Sequence, residues 1–125
     1  MTDTRELARL AARAASSKQG AAIVILDVRD LITITDYFVI ASGGSDRHVD
    51  SIADEVASEL KGQGIRPVRK EGDQASRWIL LDFVDFVVHV FHEEEREYYR
   101  LENLWRDAPI VEWDGDGASP EVSSG

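Results

Sequence analysis

The chain of 125 residues contains no cysteine. This absence excludes disulfide bonds, thiolate metal sites and thiol catalysis, and it is typical of proteins of the reducing cytoplasm. The chain also lacks any run of about 18 apolar residues, so no segment is predicted to span a membrane. Its N-terminus lacks the apolar core of a signal peptide. We therefore expect a cytoplasmic protein.

Positive charge is also scarce. The chain has 14 lysine and arginine residues against 24 aspartate and glutamate residues, which gives a formal net charge of −10. A protein that makes many phosphate contacts needs basic side chains, so DNA and free RNA are not expected as direct ligands. A basic protein surface is a natural partner for such an acidic domain, although net acidity can also serve solubility alone.

Apolar periodicity and turn residues predict the element order α-β-(β)-α-β-β-β-α. Asp3 and Glu6 are typical of a helix N-terminus, and the continuous apolar run 37–41 is typical of a strand in the middle of a sheet. This order predicts an α/β (α+β) fold with a single mixed sheet of about five strands and helices packed on it. Residues 1–113 form the predicted domain, and 114–125 a disordered acidic tail. The predicted helices start at 3, 45 and 93, and the predicted strands are 21–28, 37–41, 66–70, 78–83 and 86–91, with 31–34 ambiguous.

The turn Ser42-Gly43-Gly44-Ser45 precedes a predicted helix, where backbone N–H groups could hold a phosphate. It is similar to the glycine-serine turn of nucleotidyltransferases, whose sheet topology is also similar. Transfer chemistry would need paired carboxylates on a strand, whereas Asp82 and Asp85 lie across a predicted turn. A tight strand-to-helix connection is the preferred interpretation, with nucleotide binding as the alternative.

Two other groups of residues suggest chemistry at first sight. His89, His92 and the glutamates 93–95 resemble a zinc ligand set, but residues three apart on a strand point to opposite faces. The second group has the residue types of a hydrolase, without the Gly-x-Ser-x-Gly turn; its members are Ser42, Ser45, Asp46 and His48. We therefore predict no enzyme activity, no metal and no cofactor.

The strand predicted at 78–83 alternates between two faces. Trp78, Leu80 and Asp82 share one face, and Ile79 and Leu81 share the other. One face must meet the helices, and an exposed face with a central tryptophan is typical of a protein-binding hot spot. The sequence leaves open whether Trp78 is exposed or part of the core.

Residues 35–105 closely resemble the ribosomal silencing factor family, RsfS, also called Iojap-like. The motifs that carry this resemblance are Thr35-Asp36-Tyr37-Phe38-Val39-Ile40, Ser42-Gly43-Gly44-Ser45-Asp46-Arg47-His48-Val49, Ile52-Ala53-Asp54, Glu71-Gly72, Trp78, Asp82, Asp85-Phe86-Val87-Val88-His89-Val90-Phe91, Arg96, Tyr99, Leu101-Glu102 and Leu104-Trp105. Val84-Asp85 stands where Gly-Asp is common in the family.

The resemblance implies a factor that binds the large ribosomal subunit through large-subunit ribosomal protein number fourteen. It implies that binding sterically blocks joining with the small subunit and represses translation under nutrient limitation. A homodimer of the unbound protein is also plausible. The expected partner-binding residues are Trp78, Leu80, Asp82, His89, Phe91, Glu94 and Arg96. The residues expected to define the fold are Asp36, Ser45, Arg47, His48 and Asp54.

Overall fold

A computed structural model of the chain describes residues 3–72, 77–95 and 106–113. The elements are α1 Thr4–Ser17, β1 Ala21–Asp27, β2 Tyr37–Gly43, α2 Asp46–Lys61, β3 Arg69–Gly72, β4 Trp78–Asp82, β5 Phe86–His92 and β6 Ile110–Val111. Residues 93–95 are helical, as predicted for the start of the last helix. The rest of that predicted helix, the turn at 73–76 and the predicted tail lie outside the described residues.

All six strands form one sheet in the order β3-β4-β5-β2-β1-β6. β2 and β5 pair in parallel, and the other neighbouring strands pair antiparallel. The predicted single mixed sheet is therefore confirmed, while a nucleotidyltransferase-like topology stays a prediction. The sequence did not predict β6, because two residues are too short to show an alternating pattern.

Side-chain caps fix the starts of both helices where the sequence placed them. The Asp3 carboxylate accepts the Glu6 N–H at 2.9 Å, and the Ser45 hydroxyl accepts the His48 N–H at 3.1 Å. These bonds satisfy N–H groups that a helix leaves without intrahelical partners. The ambiguous segment 31–34 forms turns instead of a strand, since the N–H groups of Leu31 and Ile32 both donate to the Val28 carbonyl at 3.0 Å.

Both described helices pack on one face of the sheet. Alanines of α1 and aliphatic side chains of α2 meet the strand residues that point toward them, and this forms the main core. A smaller buried cluster lies on the other face, around Leu26, Ile40 and Phe91. Because β2 lies in the middle of the sheet, all of its last five residues are buried. This burial on both faces explains its continuous apolar run.

The β4–β5 hairpin turns through a strained residue. Val84 has a φ of 73°, and the Asp85 N–H donates to the Phe83 carbonyl at 2.9 Å across it. This is a three-residue turn with a left-handed centre, a rare and strained type. The Asp82 carboxylate holds the turn by accepting the Val84 N–H at 2.8 Å. A β-branched residue at positive φ is an outlier, and glycine would adopt this conformation at no steric cost.

Val84→Gly should stabilise the protein. We expect the free energy of unfolding to rise by about 1 kcal/mol, because glycine removes the Cβ clash of the left-handed conformation. Urea denaturation followed by circular dichroism measures this difference. Val84→Ala is the matched control, since alanine shortens the side chain but keeps the clash. A glycine variant no more stable than the alanine variant would show that the turn is not strained.

Candidate functional site

Trp78 lies on the sheet face opposite the helices. Ile79 and Leu81 point toward the helices and are 5 % and 1 % exposed, whereas Trp78 and Leu80 are half-buried on the other face. The register brings side chains of β2 and β5 beside them, and no described helix packs over this group. We call its half-buried members the outer patch: Phe38, Trp78, Leu80, Asp82, Val87 and His89.

Aromatic contacts hold the outer patch together. The Trp78 ring lies nearly parallel to the His89 ring, with centroids 6.4 Å apart, and the Trp78 Nε1–H donates to His89 Nδ1 at 3.4 Å. Phe38 meets His89 edge-on at 5.3 Å. Phe91 stacks with Trp78 at 6.2 Å but is only 4 % exposed. We therefore expect Phe91 to support the Trp78 ring from the neighbouring strand, while the other rings offer the contact surface.

His89 is neutral in this environment. Removal from water lowers the pKa of its imidazole from 6.5 to about 4, because burial disfavours the charged form. Its Nδ1 accepts the Trp78 N–H, which places the ring proton on Nε2. The centre of the outer patch thus presents an uncharged aromatic surface at neutral pH.

A cluster of charged side chains lies at one end of the patch. Arg77, which directly precedes β4, lies 2.7 Å from Glu94, 3.0 Å from Glu95 and 3.7 Å from Asp46. The hydrogen bonds that the Arg77 guanidinium donates to Glu95 and to Glu94 raise the pKa of Arg77. The cluster joins the start of α2 to the residues that follow β5, so Glu94 has an ion partner. No sequence pattern indicated Arg77, and the predicted contact Arg96 lies outside the described residues.

The glycine-serine turn uses its polar groups internally. His48 Nδ1 accepts the Gly44 N–H at 2.9 Å, and His48 Nε2 lies 2.7 Å from the Lys18 carbonyl oxygen. The Ser45 hydroxyl caps α2, and Ser42 is buried. His48 therefore connects the end of α1 to the start of α2, and it occupies an N–H group that a phosphate would need.

The remaining predicted fold residues differ in their surroundings. The Asp36 N–H donates to the Asp85 carbonyl at 2.9 Å, and the Asp36 carbonyl accepts the Val28 N–H at 2.9 Å. This backbone bridge joins the segment before β2 to both neighbouring strands. Arg47 and Asp54 are exposed on α2, so a role for their side chains in the fold stays a prediction.

The two strand histidines have separate partners. His92 Nδ1 accepts the Glu94 N–H at 3.2 Å and so caps the helical turn that follows β5, while His89 contacts Trp78. Within residues 3–72, 77–95 and 106–113, no three histidine or carboxylate side chains are grouped to hold a metal ion. Over the same residues, no helix is both long and apolar enough to cross a membrane.

Comparisons with known proteins agree with one another. The family model described as "Ribosomal silencing factor during starvation" (RsfS) matches residues 1–124. A ribosomal silencing factor RsfS from Halalkalibacterium halodurans is 44% identical over 89% of this chain and 95% of its own length. Another ribosomal silencing factor RsfS, from Bacillus subtilis, is 41% identical over 88% of this chain and 93% of its own length. A crystal structure from Chromobacterium violaceum, 32% identical, superposes with a TM-score of 0.81 over 98% of this chain and 95% of that one.

The depressed pKa of His89 should make stability depend on pH. Between pH 6.5 and about 4, the unfolded chain binds a proton at His89 that the folded chain does not. The free energy of unfolding should therefore fall as the pH is lowered through this window, by up to about 3 kcal/mol from this residue. Urea denaturation at a series of pH values measures the fall.

His89→Gln provides the control, because it keeps every carboxylate and removes only this imidazole. We expect its stability to fall less steeply with acidification than that of the wild-type chain. Titration of the histidine ring signals by NMR tests the cause directly. A His89 pKa near 6.5 would contradict the prediction.

Proposed function

The chain belongs to the ribosomal silencing factor family, and on that premise we propose that it binds the large ribosomal subunit and prevents its joining with the small subunit. We propose large-subunit ribosomal protein number fourteen as the docking partner. The consequence is repression of translation when nutrients are limiting. The observation that supports a binding role most strongly is the outer patch, with its half-buried tryptophan on a sheet face that no described helix covers.

The chemistry of the outer patch favours a protein partner. Tryptophan at the centre of an apolar surface is the residue type most enriched in binding hot spots. The Trp78 and His89 rings are already aligned by stacking and by a hydrogen bond, so little side-chain entropy is lost on binding. Asp82 lies opposite Val87 at the other end of β4 from Trp78, and it adds a carboxylate to the edge of the patch.

Charge favours a basic protein on the ribosome over exposed ribosomal RNA. With a net charge of −10, the chain is repelled from a polyanion and attracted to a basic protein surface at long range. This attraction speeds encounter and orients it, while the apolar patch supplies affinity. The expected ligand is therefore a basic ribosomal protein, contacted through an apolar region of its surface.

The proposed mechanism is steric and needs no reaction step. A domain of 125 residues docked on the subunit face that meets the small subunit occupies space that the joined ribosome requires. The two subunits cannot join until the factor dissociates, so its binding affinity sets the degree of repression. The mechanism requires only a rigid surface, and strands of a mixed sheet provide one.

Trp78→Ala should abolish this activity. We expect the wild-type chain to sediment with purified large subunits and to reduce the amount of joined ribosome in a sucrose gradient. Trp78→Ala should stay at the top of the gradient and leave joining unchanged, because it removes the anchor of the patch.

Trp113→Ala is the matched control for this experiment. Trp113 is also half-buried, but it packs against the main core and its Nε1–H donates to the Ile23 carbonyl at 3.3 Å. The Trp113→Ala variant should keep wild-type binding even if it loses stability. Equal loss of binding in both variants would point to unfolding, and full binding by Trp78→Ala would place the contact surface elsewhere.

Unbound chains should form a homodimer through the same patch, since an exposed apolar surface can pair with its own copy around a two-fold axis. Analytical ultracentrifugation should show a dimer for the wild-type chain and a monomer for Trp78→Ala. A dimer that persists in Trp78→Ala would show that self-association uses another surface.

A further inference from the structure

A groove of about 370 Å³ continues from the outer patch toward the β4–β5 turn. It shares Phe38, Leu80 and Val87 with the patch, and Thr35 lies in its wall. Two aliphatic side chains stand at its open side, Ile34 at 82 % exposure and Val84 at 52 %. Large aliphatic groups exposed this far are scarce among the described residues, and two of them border the same groove.

The backbone at Val84 gives a second reason to connect the groove with binding. The left-handed φ of 73° costs a valine free energy that glycine would save. Strain of this kind is concentrated at binding surfaces, where it aims a side chain at a ligand. At this position the strained backbone carries an aliphatic side chain into the wall of the groove, and glycine would leave that wall open.

Thr35 also lines the groove. Its side chain is 5 % exposed, and its hydroxyl has no hydrogen-bond partner within the part of the chain that the structure describes. A buried hydroxyl without a partner costs free energy in the folded state. The hydroxyl oxygen itself is buried, so an occupant of the groove would not reach it, and the exposed aliphatic walls and the strained turn carry the inference.

The groove is apolar and electrically balanced, which defines its occupant. The charged side chains at its rim neutralise each other, since Arg69 Nη2 lies 3.3 Å from Asp82 Oδ2. His89, which also lines the groove, is uncharged at neutral pH. A charged side chain buried here would have no free opposite charge to pair with, and its burial would therefore cost free energy. An uncharged apolar side chain would instead displace water from the aliphatic walls.

We infer that the groove receives an uncharged apolar side chain of the ribosomal protein partner, with Ile34 and Val84 as the walls that select it. The inference rests on the proposed function, because the groove is continuous with the outer patch and would be covered by the same docked protein. Val84 and Ile34 are thus specificity-determining residues of this chain. Because Val84 stands where glycine is common in the family, its side chain adds a wall to the groove at the expense of stability.

The test compares three single variants with the wild-type chain in titrations of the fluorescently labelled protein with purified large ribosomal subunits. Val84→Gly and Ile34→Ser should each weaken binding by about tenfold, as expected for loss of one well-packed apolar contact. Val84→Gly should do so while being more stable than the wild-type chain, which separates binding from folding. Ile34→Ser should leave stability unchanged, because the side chain is 82 % exposed.

Ile110→Ser is the matched control. Ile110 is 72 % exposed and lies on β6, which β2 and β1 separate from β5. The Ile110→Ser variant should bind large subunits with wild-type affinity. Wild-type affinity in Val84→Gly or Ile34→Ser, or an equal loss in Ile110→Ser, would overturn the inference. If those variants bind normally while Trp78→Ala does not, the proposed function stands and only the groove is wrong. If the wild-type chain itself does not bind the subunits, the proposed function fails and the inference fails with it.

Discussion

The parallel pairing of β2 with β5 is the constraint on which the rest of the structure depends. The two strands align over their whole lengths, from Tyr37 opposite Phe86 to Gly43 opposite His92. Parallel neighbours cannot be joined by a tight turn, so the chain between them must cross over the sheet. Here the crossover contains α2 together with β3 and β4. α2 packs beside α1 on one face, and the β4–β5 hairpin brings Trp78 to the other.

This arrangement explains why the two faces of the sheet differ. The helices bury one set of alternate side chains completely, and those residues contribute to stability. The opposite set on β4 and β5 meets no described helix, so Trp78 and His89 stay half-buried at the surface, while Phe91 is buried in the smaller cluster. The same alternation of β4 that buries Ile79 and Leu81 exposes Trp78 and Leu80. A single pattern therefore supplies both the core and the proposed interface.

One of the three described non-glycine residues at positive φ, Val84, lies beside the proposed interface, while Gln19 and Ala22 lie at the connection between α1 and β1. Val84 and the neutral ring of His89 both line the groove. The glycine-serine turn before α2 shows the contrasting situation, because His48 and Ser45 accept hydrogen bonds from backbone N–H groups there. This contrast supports placing function on the sheet face and assigning the turn to the fold.

The sequence by itself determined the starts of α1 and α2, the central strands β1, β2, β4 and β5, and the alternation of β4, because capping and periodicity are local properties of the chain. Its motifs also indicated the family to which the chain belongs. The sequence could not determine which face of β4 is exposed, since that depends on which side the helices pack. It also missed Arg77, β6 and the groove. These features bring together residues far apart in the chain, and only the tertiary structure places Ile34 beside Val84 and Arg77 beside Glu94.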